Sequence, residues 1–213
     1  MRLGCLAVVV ALLLGACGSS SGPGPASEAS FSFREAGAES AGVRIVFLHG
    51  AAYDSSVWER TGILAAMAEA GYHAVAVDLP GKGTSTGVAN VAWLDGVLDH
   101  FGFDAAVIVS PSASGAVSLP YLTERPERVA GFVPVAPVGG ATFVWSAGPS
   151  PPTLVVLGEN DTGFAAGTRA LADAIPDAEL VVLADAGHAA YEDQPEAFTN
   201  ALLAFLEVRV DRR

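Results

Sequence analysis

Hydrophobic positions along this chain follow two recurring patterns. Short unbroken apolar runs, rich in β-branched residues, alternate with longer stretches in which apolar residues return every three or four positions. The runs Val43–Leu48, His73–Val77, Ala105–Val109, Val129–Ala136, Thr153–Gly158 and Glu179–Ala184 have the length of strands. Their continuous apolarity suits parallel strands covered on both faces, whereas half-exposed strands would alternate. The periodic stretches predict helices over Val57–Gly71, Val88–Gly102, Ser114–Pro126, Gly163–Ile175 and Gln194–Val208. The third of these carries Pro120 and is expected to be distorted there. Phe31–Ala36 alternates and predicts an antiparallel edge strand. Alternation of strand and helix throughout predicts an α/β domain built on a doubly wound, mostly parallel sheet.

The first 29 residues depart from that pattern. Residues 1–16 carry one basic residue, Arg2, then an apolar run, then small residues before Cys17, as a secretory signal peptide does. The run is shorter than the ~18–20 residues that span a bilayer, and no later segment reaches that length. Leu14-Gly15-Ala16-Cys17 resembles a bacterial lipobox, which implies export with Cys17 diacylated as the first mature residue. Residues 17–29 are rich in Gly, Ser and Pro and read as a flexible tether, leaving residues 30–213 as one domain. Cys5 departs with the signal, so the domain holds no cysteine and neither a disulfide nor a thiolate metal site. Net charge is −12, or −13 once Arg2 is removed. Such a surface repels nucleic acid and anionic headgroups, so membrane contact is expected through the lipid alone.

In an open parallel sheet, ligands bind beyond the carboxyl ends of the strands. Five loops are therefore candidates, and from them one Ser, one Asp and one His can converge on the same sheet edge in that chain order. The order and placement are those of α/β-hydrolases. Ser112, in "SPSAS", is the candidate nucleophile, with Ser110 and Ser114 standing where a G-x-S-x-G elbow has glycine. The alternative is that Ser112 or Ser114 caps the following helix. His188, in "DAGH", is the candidate base. His49 suits a loop tie, His73 opens a strand, and His100 lies near a helix end where its charge fits the dipole. Asp161 follows the penultimate strand and is the candidate carboxylate, with Glu159 and Asp185 as competitors. A serine hydroxyl needs the imidazole to take its proton, and the imidazole needs a carboxylate to hold its tautomer. By position, the backbone N–H groups of Ala51 and Ala113 are the oxyanion donors. The histidines are scattered over separate elements, and "DLPGKG" lacks the full phosphate-binding pattern. No metal and no cofactor are expected.

These motifs together resemble the family of α/β-hydrolase-domain-containing protein 14. The resemblance runs through "FSFREA", "LHG", "AGYHAVAVDLPGKG", "VIVSPSASGAVSLPYL", "GFVPVAP", "AGHAAYEDQPE" and "LLAFL". It implies an α/β-hydrolase fold with the middle serine of the Ser-x-Ser-x-Ser elbow, Ser112, as nucleophile and with Asp161 and His188 as acid and base. It also implies ester cleavage, or removal of acetyl groups from lysine with coenzyme A as acceptor. An exported protein meets little coenzyme A, so water is the acceptor expected here, acting on a small-molecule acyl substrate. Pro137–Pro152 is too short for a lid domain, which predicts a minimal fold whose site is open or walled by loops.

Overall fold

The computed structural model describes residues 30–146 and 148–211. The signal segment, Cys17 and the tether lie outside them. Seven strands form one sheet: β1 (Phe33–Ala36), β2 (Arg44–Phe47), β3 (His73–Val77), β4 (Ala106–Pro111), β5 (Val129–Val135), β6 (Thr153–Gly158) and β7 (Ala178–Leu183). Their order is β1-β3-β2-β4-β5-β6-β7. β1 runs antiparallel to β3, with Phe33 opposite Val77, and every other pair is parallel. This is the doubly wound α/β-hydrolase architecture, and β1 is the edge strand that the alternation of Phe31–Ala36 predicts.

Helices cover both faces: α1 (Ser56–Arg60), α2 (Ile63–Glu69), α3 (Val91–His100), α4 (Gly115–Glu124), α5 (Ala165–Ala174), α6 (Ala190–Asp193) and α7 (Pro195–Phe205). One face packs Phe47, Trp58, Ile63, Met67, Tyr191 and Phe198 into a core. The other packs Val46, Trp93, Leu94, Leu98, Tyr121 and Phe132. Burial on both faces is why β3, β4 and β6 have every residue buried and read as unbroken apolar runs. β7 lies at the sheet edge and is only partly covered.

Local chemistry adjusts several predicted boundaries. The single helix expected over Val57–Gly71 is two, because Gly62 adopts a left-handed backbone (φ 76°) that an α-helix cannot continue through. The helix expected from Val88 starts at Val91, where the Asn90 side chain accepts the Trp93 N–H at 2.9 Å and caps it. β4 runs on to Pro111, beyond the expected end at Val109. α4 stays α-helical through Pro120. Ala116 and Pro120 face solvent, so the Ala116 carbonyl that loses its partner can be hydrated. The last helix stops at Phe205 and the chain continues as a π-helical turn, Leu206–Val210. Between β5 and β6 the described residues hold a single 3-10 turn, Gly140–Thr142, and no lid domain. No helix among the described residues is long and apolar enough to cross a membrane.

Candidate active site

The carboxyl end of β4 delivers Ser112 on a sharp bend. Its φ of 50° lies in the left-handed region, which costs a non-glycine residue about 1–2 kcal/mol. The bend joins β4 directly to a 3-10 turn, Ser112–Ser114, and then to α4. Two features hold it there. The Ser112 carbonyl accepts the Val138 N–H at 2.8 Å. Beneath it, Ser110, Ser114 and Ser118, all essentially inaccessible to solvent, form a chain of hydroxyls. Ser110 Oγ lies 2.9 Å from Ser114 Oγ and 2.6 Å from Ser118 Oγ, and Ser114 Oγ donates to the Pro111 carbonyl at 2.8 Å. Each hydroxyl has one proton, so the direction follows: Ser118 donates to Ser110, Ser110 to Ser114, and Ser114 to Pro111. Serines thus replace glycines at the elbow without leaving a buried hydroxyl unsatisfied. Ser114 does not cap α4, since its oxygen is bonded back to Pro111.

His188 reaches Ser112 from the loop after β7. Its Nε2 lies 2.8 Å from Ser112 Oγ and its Nδ1 lies 2.6 Å from Asp161 Oδ2. Asp161 sits beyond β6 with its side chain 5% exposed, and its other oxygen accepts the Phe164 N–H at 3.1 Å. The Phe164 ring packs on the imidazole with centroids 4.3 Å apart. The structure therefore brings Ser112, Asp161 and His188 into one hydrogen-bonded line. Of the two competing carboxylates, Glu159 is engaged elsewhere. Glu159 accepts the Asp185 N–H at 3.1 Å, which ties the Asp161 loop to the His188 loop. Gly158 makes that approach possible, since a β-carbon built there would stand 2.0 Å from the Gly187 carbonyl oxygen. We expect Gly158→Ala to lower the melting temperature by about 3–10 °C, from overpacking of about 1–3 kcal/mol. A thermal melt followed by circular dichroism checks this.

The two amides expected as oxyanion donors lie next to residues of the site: Ala113 follows Ser112 in the chain, and Ala51 follows Gly50. Ala113 N–H lies in the first turn of the helical run, where amides lack an intrahelical acceptor. Gly50 borders Ser112: a β-carbon built on it would stand 3.5 Å from Ser112 Cβ and 3.6 Å from the Tyr191 hydroxyl oxygen. Ala51 N–H donates to no acceptor among the described residues. Across the rim, Arg60 donates to the Glu192 carboxylate, and a hydrogen bond to Glu192 pushes the Tyr53 phenol up to about 12. This network ties the loop after β2 to the helix after His188. Sequence reasoning does not find Ser118, Phe164 or the Arg60–Glu192 pair. Ser118 carries the one available signal, lying at helical spacing from Ser114. Among the described residues, no three His, Cys, Asp or Glu side chains gather as a metal site.

With this geometry in view, the likeness to known proteins is specific. Residues 43–150 match the family model described as the alpha/beta hydrolase fold, and residues 130–209 match one described as TAP-like protein. ABHD14A of Rattus norvegicus is 41% identical over 172 residues, covering 76% of this chain and 71% of that protein. Human ABHD14B is 36% identical over 191 residues, covering 82% of this chain and 89% of that one. The chain belongs to the ABHD14 family of α/β-hydrolases. Among solved structures, a CIB-like hydrolase from Thermoplasma acidophilum superposes with a TM-score of 0.74 at 23% identity, covering 83% of this chain and 91% of that one. A thermophilic esterase from Thermogutta terrifontis gives 0.71 at 20% identity, covering 85% and 94%. At these identities the structural neighbours bear on the fold alone. The ABHD14 relatives carry the family assignment.

Proposed function

We propose that this ABHD14-family protein is a serine hydrolase that cleaves small acyl esters or related acyl groups through an acyl-enzyme. The observation that carries the reading is the unbroken line Ser112 Oγ···His188 Nε2 and His188 Nδ1···Asp161 Oδ2, at 2.8 and 2.6 Å. In this reading Ser112 Oγ attacks the acyl carbon while His188 Nε2 takes its proton. Asp161 holds the proton on His188 Nδ1 and stabilises the imidazolium that forms. The oxyanion is received by Ala51 and Ala113 N–H. His188 then protonates the leaving group, and in the second half-reaction it activates the water that releases the acid. A groove of about 510 Å³ runs beside α4, lined by Gly115, Leu119, Pro120, Val138 and Phe143 together with polar Thr123 and Glu124; Ser112 and His188 do not line it. Its apolar stretch, Leu119, Pro120, Val138 and Phe143, is where an acyl chain is expected to lie in this reading.

The test is a fluorophosphonate probe followed by peptide mass spectrometry. A phosphonyl adduct on the Ser112 peptide is expected, and folded protein that takes up no label there would sink the reading. Human ABHD14B is named for protein-lysine deacylation, which favours a second reading in which the acyl group comes from lysine. Turnover of an acetyl-lysine peptide compared with a phenyl ester separates the two. The lipid anchor is a separate proposal resting on Leu14–Cys17. Cys17→Ala is expected to move the protein from the membrane to the soluble fraction of a bacterial host, and an unchanged distribution would refute the anchor.

A further inference from the structure

His49 has no part in the proton transfers above, yet it is among the most constrained side chains near Ser112. It is 1% exposed, and both ring nitrogens are engaged. Nδ1 lies 2.8 Å from the Gly50 carbonyl oxygen, and Nε2 lies 2.9 Å from the Leu79 backbone nitrogen. The partners decide the tautomer. A backbone N–H can only donate, so Nε2 holds a lone pair. A carbonyl can only accept, so Nδ1 holds the proton. The ring is therefore neutral, and burial lowers its pKa against the opposing pull of the Gly50 carbonyl and Asp78, with Lys82 adding to the lowering and Asp54 opposing it.

The bond to Gly50 matters because of what lies on the other side of that peptide. The Gly50 carbonyl accepts a second hydrogen bond, from Tyr53 N–H at 3.1 Å, so it is held by two donors. The described residues contain no cis peptide. In a trans peptide the C=O and the following N–H point in opposite directions. Holding the Gly50 carbonyl toward His49 therefore turns the Ala51 N–H away from it and keeps that N–H unpaired. A rotated peptide would bring an electron-rich carbonyl to the place where the reaction needs a donor.

We infer that His49, as the neutral Nδ1–H tautomer, is a positioning residue that locks the Gly50–Ala51 peptide with its N–H presented as an oxyanion donor. The inference rests on the hydrolase reading for its catalytic consequence. The lock is also tied to the loop after β3 through Leu79. Protonation of His49 would set an Nε2–H against the Leu79 N–H and break that tie. The neutral ring contributes stability above the ordinary imidazole value of about 6.5, and that contribution is lost as pH falls below it.

Two substitutions separate the ring's two bonds. His49→Gln places an amide oxygen where Nε2 stood, keeping the acceptor for Leu79 and losing the donor to Gly50. His49→Asn places an amide nitrogen where Nδ1 stood and does the reverse. With p-nitrophenyl acetate, His49→Gln is expected to lose about 10–100-fold in kcat, with KM within about twofold, since one oxyanion donor is worth ~10²–10³. His49→Asn should retain several-fold more, and fluorophosphonate labelling rates should follow kcat. The melting temperature of the wild type should fall below about pH 6.5 more steeply than that of His49→Asn. The imidazole ¹⁵N spectrum of the wild type should show an Nδ1–H tautomer at pH 7, a readout independent of activity and of whether the variants fold. An Nε2–H tautomer or an imidazolium at that pH overturns the inference. So does a folded His49→Gln protein that labels as fast as the wild type, an outcome that leaves the hydrolase reading standing. A wild type that takes no label at Ser112 sinks both.

Discussion

Ser112→Ala is expected to lower kcat for a phenyl acetate ester by on the order of 10⁶-fold while the protein folds normally. The size follows from the role assigned to the residue. Without Oγ no acyl-enzyme can form, and the remaining rate enhancement comes only from binding and the oxyanion donors, ~10³–10⁴ over water. Folding should survive because Ser112 Oγ is bonded to His188 at the exposed end of the line and supports no buried network. The hydroxyl chain below it involves Ser110, Ser114 and Ser118 instead. Removal of the hydroxyl also leaves the left-handed backbone, which is held by Val138 N–H on the Ser112 carbonyl. A steady-state assay with a matched thermal melt checks both halves. A folded Ser112→Ala protein retaining more than a hundredth of wild-type kcat would place the nucleophile elsewhere.

Asp161→Asn is expected to cost about 10⁴-fold in kcat at neutral pH. The Phe164 N–H donates to one Asp161 oxygen at 3.1 Å, so an asparagine must keep its carbonyl oxygen on that side. Its amide NH₂ is then presented to His188 Nδ1, which must accept. The proton moves to Nε2, facing Ser112, where the imidazole can no longer act as a base. Rotating the amide would restore the tautomer but set an NH₂ against the Phe164 N–H in a buried position. Glu159→Gln serves as the contrast. It touches the Asp185 N–H and not His188, and should stay within a fewfold of wild type. Comparable losses from the two substitutions would mean that Asp161 is not the carboxylate that orients His188.

The unequal legibility of the candidate residues has a physical origin. Ser112, Asp161 and His188 could be read because each lies at the carboxyl end of an apolar run, and strand polarity in a parallel sheet sends all such ends to one edge. The serines at 110 and 114 could be read only as small residues. Their bonding depends on Ser118, eight and four positions on respectively, and on a helix close enough to β4 for a 2.6 Å contact. The break at Gly62 is not legible in the pattern, which predicts one helix over Val57–Gly71, because a glycine at a helical position can be tolerated or can end the helix. Its left-handed backbone turns the chain between α1 and α2, whose Val57, Trp58, Ile63 and Met67 enter one core with Ile45, Phe47, Ala74 and Ala76. His49 shows the same division. Its place before Gly50 marked a loop tie, but the tautomer required the Leu79 amide, 30 residues away.

By itself, then, the sequence determined the alternation of elements, the edge that carries the chemistry, and the three residue types that meet there. Hydrophobic periodicity and turn chemistry are local, and they are written into consecutive residues. Strand order, the contact of Asp161 with His188 and of Glu159 with Asp185, and the partners of His49, Ser110 and Phe164 were decided only in the tertiary structure. Those depend on contacts of 2.6 to 3.1 Å, several of them between segments far apart in the chain, and packing of both sheet faces sets them.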